Sequence, residues 1–229
     1  MKKNTNVTVL NRSFALSVFI AVLCLPVACD RSPDSPPEIP AGTGRQTVFT
    51  SSFGAWTYFS FATGDTVGAG NIDNTATPPQ DDASWKDRTD WDIAIHMNNV
   101  RTNSGTSGNA SGGAYDTGES DFDAVADVPA GATFTVDTDT VIWTRMPPPP
   151  MRPGATCGVN SAINWATLIQ ATQEIEITSG NVFLVKTASG KYAKVQLVHT
   201  QKDADNPLGG QLTVVWFYQP DGSTRLQTQ

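Results

Sequence analysis

Apolar and polar positions alternate in short runs along most of this chain. The segments TVFTSS (47–52), WTYFSFAT (56–63), DWDIAIHM (90–97), TFTVDT (133–138), TVIWTR (140–145), QEIEIT (173–178), NVFLVKT (181–187), YAKVQLVHT (192–200) and QLTVVWFYQ (211–219) are rich in β-branched and aromatic residues. Each is bounded by Gly, Asn, Asp or Pro, and several show the period of two expected of a half-buried strand. The four residues ASGK before Tyr192 suit a hairpin turn, and PLGG precedes the last run. Only FDAVADVP (122–129) and NSAINWATLIQA (160–171) offer short helical turns. The pattern predicts an all-β, mostly antiparallel fold, a barrel or a sandwich, with long loops. Two stretches are too irregular to read as strands: the Gly- and Ser-rich segment from Arg101 to Asp123, and RMPPPPMRPGATCGVN from Arg145 to Asn160. Long loops of this kind in a compact domain are either functional or mere flexible excursions.

The first residues break the β pattern. Lysines at 2 and 3 precede an apolar stretch from Phe14 to Val27, which ends in LPVAC. This is the form of a bacterial secretory signal with a lipobox, after which Cys29 becomes an acylated N-terminus. Ordinary cleavage after a small residue is the alternative. Residues 1–28 are therefore expected to be a signal peptide. Residues 29–46, polar and proline-rich, read as a flexible tether, and residues 47–229 as one β domain.

Charge and cysteine usage narrow the function. The chain carries 15 basic and 22 acidic residues, a net charge of −7. Removal of Lys2, Lys3 and Arg12 with the signal takes it to about −10, which disfavours nucleic acid as a partner. Of three cysteines, Cys24 lies in the signal and Cys29 is the acylation site. Cys157 is then alone, and the mature chain can form no internal disulfide.

The two histidines, His96 and His199, both fall in strand-like runs and form no zinc pattern. No nucleophile elbow, Walker sequence or dinucleotide fingerprint is present, and DTGESDFD (116–123) lacks the spacing of a calcium loop. Nothing points to an enzyme. What remains is MPPPPM, which sets Met146 and Met151 at either end of four prolines. Thioether sulfur is a soft donor suited to haem iron or Cu(I), although most methionines only fill apolar gaps.

WTYFSFATG (56–64), WDIAIH (91–96), VRTNSGTSG (100–108), GGA (112–114) and NVFLVKTASGKYAKVQ (181–196), in that order and spread over most of the mature chain, resemble the HmuY family of haem-binding lipoproteins. The resemblance implies a haemophore-like β-fold, anchored at or released from the cell surface. It further implies capture of haem b (iron protoporphyrin IX), with host or environmental haemoproteins as a source. The haem would pass to a TonB-dependent outer-membrane receptor. Family members hold haem between two axial ligands, a His pair in some and a Met pair in others. Met151 falls where the first ligand lies. The second position falls at about Ile169 or Gln170, and neither is a usual haem ligand. The partner then comes from Met146 or Met97, or the iron is five-coordinate, or haem binding has been lost. In the last case the chain would be a surface binding module for a protein partner or another hydrophobic ligand.

A polyproline spacer separates the Cα atoms of Met146 and Met151 by about 15 Å, against about 12 Å for two methionines on opposite haem faces. A rigid spacer therefore works against joint ligation, while a bent loop would permit it; the resemblance implies ligation by Met151 and leaves Met146 to pack on the porphyrin or to serve as a reserve. Trp143 and Trp165 either wall an apolar pocket or belong to the core. Arg145 and Arg152 either pair with the haem propionates or are solvated.

Overall fold

The computed structural model describes residues 44–72, 82–144, 154–169, 171–172, 174–202 and 209–227. Thirteen strands run in chain order: β1 Arg45–Ser52, β2 Ala55–Ser60, β3 Asp65–Asn71, β4 Ile93–His96, β5 Asn99–Thr102, β6 Gly113–Asp116, β7 Thr138–Ile142, β8 Ala155–Val159, β9 Ala166–Ile169, β10 Glu174–Ile177, β11 Phe183–Lys186, β12 Tyr192–Lys202 and β13 Gly209–Gln219. The helical element among the described residues is one 3-10 turn, Asp82–Trp85. None of their helices is long and apolar enough to cross a membrane.

Nine strands form one antiparallel sheet in the order β5-β4-β2-β1-β13-β12-β11-β6, with β3 also paired to β2. The long strands β12 and β13 form its spine, paired from Tyr192↔Gln219 to Lys202↔Gly210 with a bulge between Leu197 and His199. The sheet curls into a nearly closed barrel. At one end its two edges meet, because the Gly112 amide beside β6 donates to the Asn103 carbonyl beyond β5 (3.0 Å).

Both faces of the sheet are covered, which explains why WTYFSF is apolar at consecutive positions. Phe59 and Phe61 face the inner core with Phe49, Ile93, Ile95, Val195, Val214 and Trp216. Edge-to-face and tilted ring contacts link Phe49, Phe59, Phe61 and Trp216 at centroid separations of 5.1 to 5.6 Å. Trp56 and Tyr58 point the other way, into an outer cluster with Trp85, Trp91 and Ala94. A second outer cluster, around Val125, Val182, Leu184 and Leu226, covers the β6–β11 end. There Lys194, 1% exposed, donates from Nζ to the carbonyls of Phe122 (2.6 Å) and Val125 (2.8 Å), tying loop 117–128 to the sheet.

Most of the strands read from the pattern are present, including the β11–β12 hairpin turned by residues 187–191. Five differences have physical causes. The stretch from Arg145 to Asn160, read as too irregular for strands, contains β8, which pairs with β7 and buries Cys157 in the outer cluster. NSAINWATLIQA is not helical: Ala166 and Leu168 face inward while Thr167 and Ile169 face out, so the segment enters β9 with period two. FDAVADVP forms a turn and an isolated bridge, Asp127↔Arg225, rather than a helical turn. TFTVDT contributes only the bridge Ala114↔Thr135 before β7 opens at Thr138. The segment from Arg101 to Asp123 contains β6, and its residues Thr102, Asn103, Ser104 and Ser107 are buried, so its first half is a packed loop. The first strand opens at Arg45, two residues ahead of the boundary drawn from composition.

Candidate functional site

Two two-stranded ribbons follow one another in the chain, outside the main sheet. The first pairs β7 with β8, the second β9 with β10. In the first, Ile142 and Cys157 lie in the outer cluster, with Ala155 and Val159 packed against it. In the second, Ala166 and Ile175 belong to the inner core, and Leu168 and Ile177 pack on it. The other face of the second ribbon carries Thr167, Ile169, Glu174 and Glu176, as the register requires.

Buried polar groups clamp the root of the first ribbon. Asp137, just before β7, is 1% exposed. Its Oδ1 accepts from Thr102 Oγ1 (2.7 Å), Asn160 Nδ2 (2.9 Å) and Ser104 Oγ (3.3 Å), and its Oδ2 from the Thr102 amide (2.9 Å). Asn160, just after β8, donates in addition to the Thr135 carbonyl (2.8 Å), and its own amide donates to Val100 (2.9 Å). Both strands of the ribbon are thus fixed to the end of β5. Burial raises the Asp137 pKa, and the hydrogen bonds from Thr102 and Asn160 oppose the rise. Gly105 makes the clamp possible: it has φ +54°, and a Cβ there would stand 2.1 Å from the Asp137 carbonyl oxygen. The root of the second ribbon is held by Trp165, whose Nε1 donates to the Asn98 carbonyl (3.2 Å), while Asn98 Nδ2 donates to the Ala166 carbonyl (3.2 Å).

Met97 sits in the β4–β5 turn with φ +51°, the described non-glycine residue in the left-handed region. It is 2% exposed in the inner core, and its amide donates to Ser51 Oγ. That burial removes it as a ligand for anything bound at the surface. His96 is fully buried, with Nε2–H donating to the Phe53 carbonyl (2.8 Å). His199 is half-buried on β12. Among the described residues no cluster of His, Cys, Asp and Glu can hold a metal ion.

Of the residues singled out from the sequence, Met146, Met151, Arg145, Arg152 and Cys29 lie outside the described residues. Trp143 follows β7, half-buried and packed against the inner core, although its neighbour Ile142 faces the outer cluster. Trp165 has no exposed surface; its ring fills the inner core. Ile169, half-buried, ends β9, and Gln170 is outside the described residues.

Cys157 is free and buried under the first ribbon. Burial pushes its thiol pKa up, with Arg101 and Trp56 opposing. Iodoacetamide is therefore expected to leave Cys157 unmodified in the folded protein and to alkylate it only on unfolding, which mass spectrometry of urea-treated and untreated protein will read. Labelling of the untreated protein at the rate of a free thiol would contradict this placement.

The sequence profile of the family described as "HmuY protein" matches residues 52–216, most of the chain. The chain belongs to the HmuY family. Solved structures agree on the fold of this HmuY-family protein. An apo HmuY analog from Tannerella forsythia is 21% identical, with a TM-score of 0.53 over 80% of this chain and 98% of that one. A candidate HmuY-like haem-binding protein from Bacteroides vulgatus ATCC 8482 is 21% identical, with a TM-score of 0.52 over 76% and 92%. A candidate lipoprotein from Bacteroides fragilis NCTC 9343 is 18% identical, with a TM-score of 0.56 over 78% and 91%. At these identities the likeness is one of fold. No curated protein sequence matches the chain.

Proposed function

We propose that this HmuY-family protein is a haem-binding surface lipoprotein, anchored through Cys29, that captures haem b and passes it to a TonB-dependent outer-membrane receptor. The observation that carries the reading is the layout of the ribbons. The segment from Arg145 to Pro153, with Met151, joins the two strands of the first ribbon. The position counted for the second ligand, Ile169 or Gln170, is where β9 turns back into β10. Both counted ligand positions thus fall in the connections of two ribbons that are consecutive in the chain and whose roots are braced, which supports a shared ligand. The flanking side chains agree with an apolar porphyrin: Trp143 and Ile169 are half-buried at the ribbon ends.

In this reading Met151 supplies a thioether to the iron, and Met146 packs on the porphyrin or stands in reserve. Arg145 and Arg152 pair with the propionates, Trp143 borders the ring, and Trp165 supports the second ribbon from the core. Haem iron, when bound, would supply a Lewis-acid centre that favours soft donors on reduction. The thioether does not titrate near neutrality, so affinity is expected to stay constant between about pH 7 and 6, unlike that of an imidazole site. Haemin titration followed in the Soret band tests this. Wild type should saturate at one haem per chain and bind more tightly after reduction. Met151→Ala should weaken binding at least about ten-fold, ~1.4 kcal/mol. Unchanged binding in that variant would remove Met151 from the site.

One observation favours a second reading. Met97 and His96 are buried, and Ile169, not a usual haem ligand, stands where the second ligand is counted. A surface module that has lost haem and binds a protein partner or another hydrophobic ligand fits that gap. Haemin raises the melting temperature of a carrier by mass action and leaves that of such a module unchanged.

A further inference from the structure

Beside the clamped root of the first ribbon, away from its turn, the loops on either side of β6 enclose an open cavity of about 670 Å³. Its walls are mostly backbone and small side chains, Ser104, Ser111, Gly112 and Gly131 among them, with Phe134 and Tyr192 as the ring-bearing walls. Val136 lines it, and from there to Ile142 the extended chain covers about 20 Å, so it is separate from the far end of β7.

Its electrostatics differ from those of the rest of the protein. The chain has 22 acidic residues against 15 basic ones. Yet no carboxylate lines this cavity, and Lys186 is its one charged lining residue. Lys186 is half-buried and forms no ion pair among the described residues. Two acids adjoin the walls in sequence: Asp137, beside Val136, has its oxygens occupied by Thr102, Ser104 and Asn160, and Asp127, beside Val128, is exposed to solvent and is not among the lining residues. The register explains how the cation is presented. Gly113, Lys186 and Tyr192 are paired in one row across β6, β11 and β12, so they share a face, and Gly113 leaves the place beside Lys186 open. Phe134 packs over that gap: a Cβ on Gly113 would lie 3.0 Å from its Cβ. Its ring lies 5.7 Å from that of Tyr192 and 6.2 Å from that of Tyr115. Around the rim, the amides of Gly105, Ala110, Ser111 and Gly131 donate to no group among the described residues.

We infer that this cavity is a second ligand site, one that takes a small organic anion, a carboxylate carried on a flat ring. The ring lies against Phe134 and Tyr192, and the carboxylate meets Lys186 with the loop amides adding positive potential. A volume of this size suits a small ligand. The site stands independently of the haem reading, since it uses neither ribbon turn nor any methionine.

Calorimetric titration of the full chain with indole-3-acetate, and with its neutral counterpart indole-3-acetamide, tests the inference. Indole-3-acetate is expected to bind saturably at one per chain. The amide, and indole-3-acetate on Lys186→Met, should bind at least about ten-fold more weakly, the loss expected when a charge-assisted hydrogen bond is removed. Lys186→Arg, which keeps the charge, should retain saturable binding, separating loss of the cation from a fault in folding. No saturable heat with wild type, equal affinity for acid and amide, or unaltered binding by Lys186→Met would each overturn the assignment.

Discussion

Replacing Arg101 with Ala is expected to lower the unfolding free energy by about 3–5 kcal/mol, the range for a buried ion pair that loses one member. Arg101 is 3% exposed on β5. Its guanidinium lies 3.8 Å from the centre of the Trp56 ring and 5.5 Å from that of Tyr58. Its Nη2 donates to both carboxylate oxygens of Asp82, at 3.1 and 3.0 Å, and the Tyr58 hydroxyl donates to Asp82 Oδ1 at 2.6 Å. The cluster therefore joins the 3-10 turn, β2 and β5 beneath the first ribbon, whose Ile142 and Cys157 pack into the same outer cluster. Arg101→Ala removes the charge, the stacked plane and the partner of a partly buried carboxylate together. Asp82→Asn leaves the guanidinium buried without its counter-charge and should also be strongly destabilising. The double variant should cost clearly less than the two single ones added, because the residues share one interaction. Urea denaturation of the four proteins measures this. A loss under about 1 kcal/mol for Arg101→Ala, or strict additivity, would mean that the cluster is solvated rather than structural.

The outer cluster also shows what the sequence could and could not disclose. Strand β2 is legible in WTYFSFAT because its side chains are large and apolar. Its neighbour β3, DTVGAGN, is not, because Gly68 and Gly70 carry no strand signal. The reason for those glycines is tertiary: the ring of Trp85 lies on them, and a Cβ on Gly68 would come within 2.5 Å of it. A contact seventeen residues away in sequence thus sets the composition of a strand. Asp137 hides in the same way. In TFTVDT it looks like one polar position of an alternating run, while in the fold it is a buried carboxylate holding the ribbon root. Of the second ribbon, β10 is legible in QEIEIT but β9 is not, because NWATLIQA admits a helical as well as an alternating reading, and only the packing of Ala166 on the inner core decides between them. The family segments, by contrast, were legible as a set, since they lie within the span that the family profile matches. The proline-flanked methionines stood out by composition alone. Their role depends on tertiary placement, which local pattern does not encode.

Acid should weaken this fold well above the usual carboxylate range, and His96 is the reason. Burial drives its pKa from 6.5 down to about 4, with the field of Arg101 acting in the same direction and the Phe53 hydrogen bond opposing. The imidazole is neutral in the folded protein: Nε2–H serves the Phe53 carbonyl, and Nδ1 is buried with no hydrogen-bond partner among the described residues. A proton on Nδ1 would place a cation against Trp56, whose ring centre is 5.2 Å away, in a site that already holds the Arg101 guanidinium over that indole. Because the folded pKa lies below the unfolded one, stability is full above pH 6.5. It falls as the unfolded chain takes up the proton, and the fall levels off near pH 4. The complete loss is about 3 kcal/mol, with about 2 kcal/mol gone by pH 5. Asp92 and Asp137 act in the opposite sense: burial raises their pKa values, so protonation favours the folded state and cannot account for the decline. Unfolding free energies from urea curves at pH 7.5, 6 and 5 should fall by this amount in wild type and stay nearly level in His96→Leu, whatever that variant loses at neutral pH from the unsatisfied Phe53 carbonyl. Parallel pH profiles for the two proteins would show that His96 is not held neutral. If haem is held by a thioether, as proposed, its affinity should persist where the apo protein loses stability. On that proposal the gap between apo and haem-loaded melting temperatures, set by mass action, stays open at pH 5 as the apo value drops.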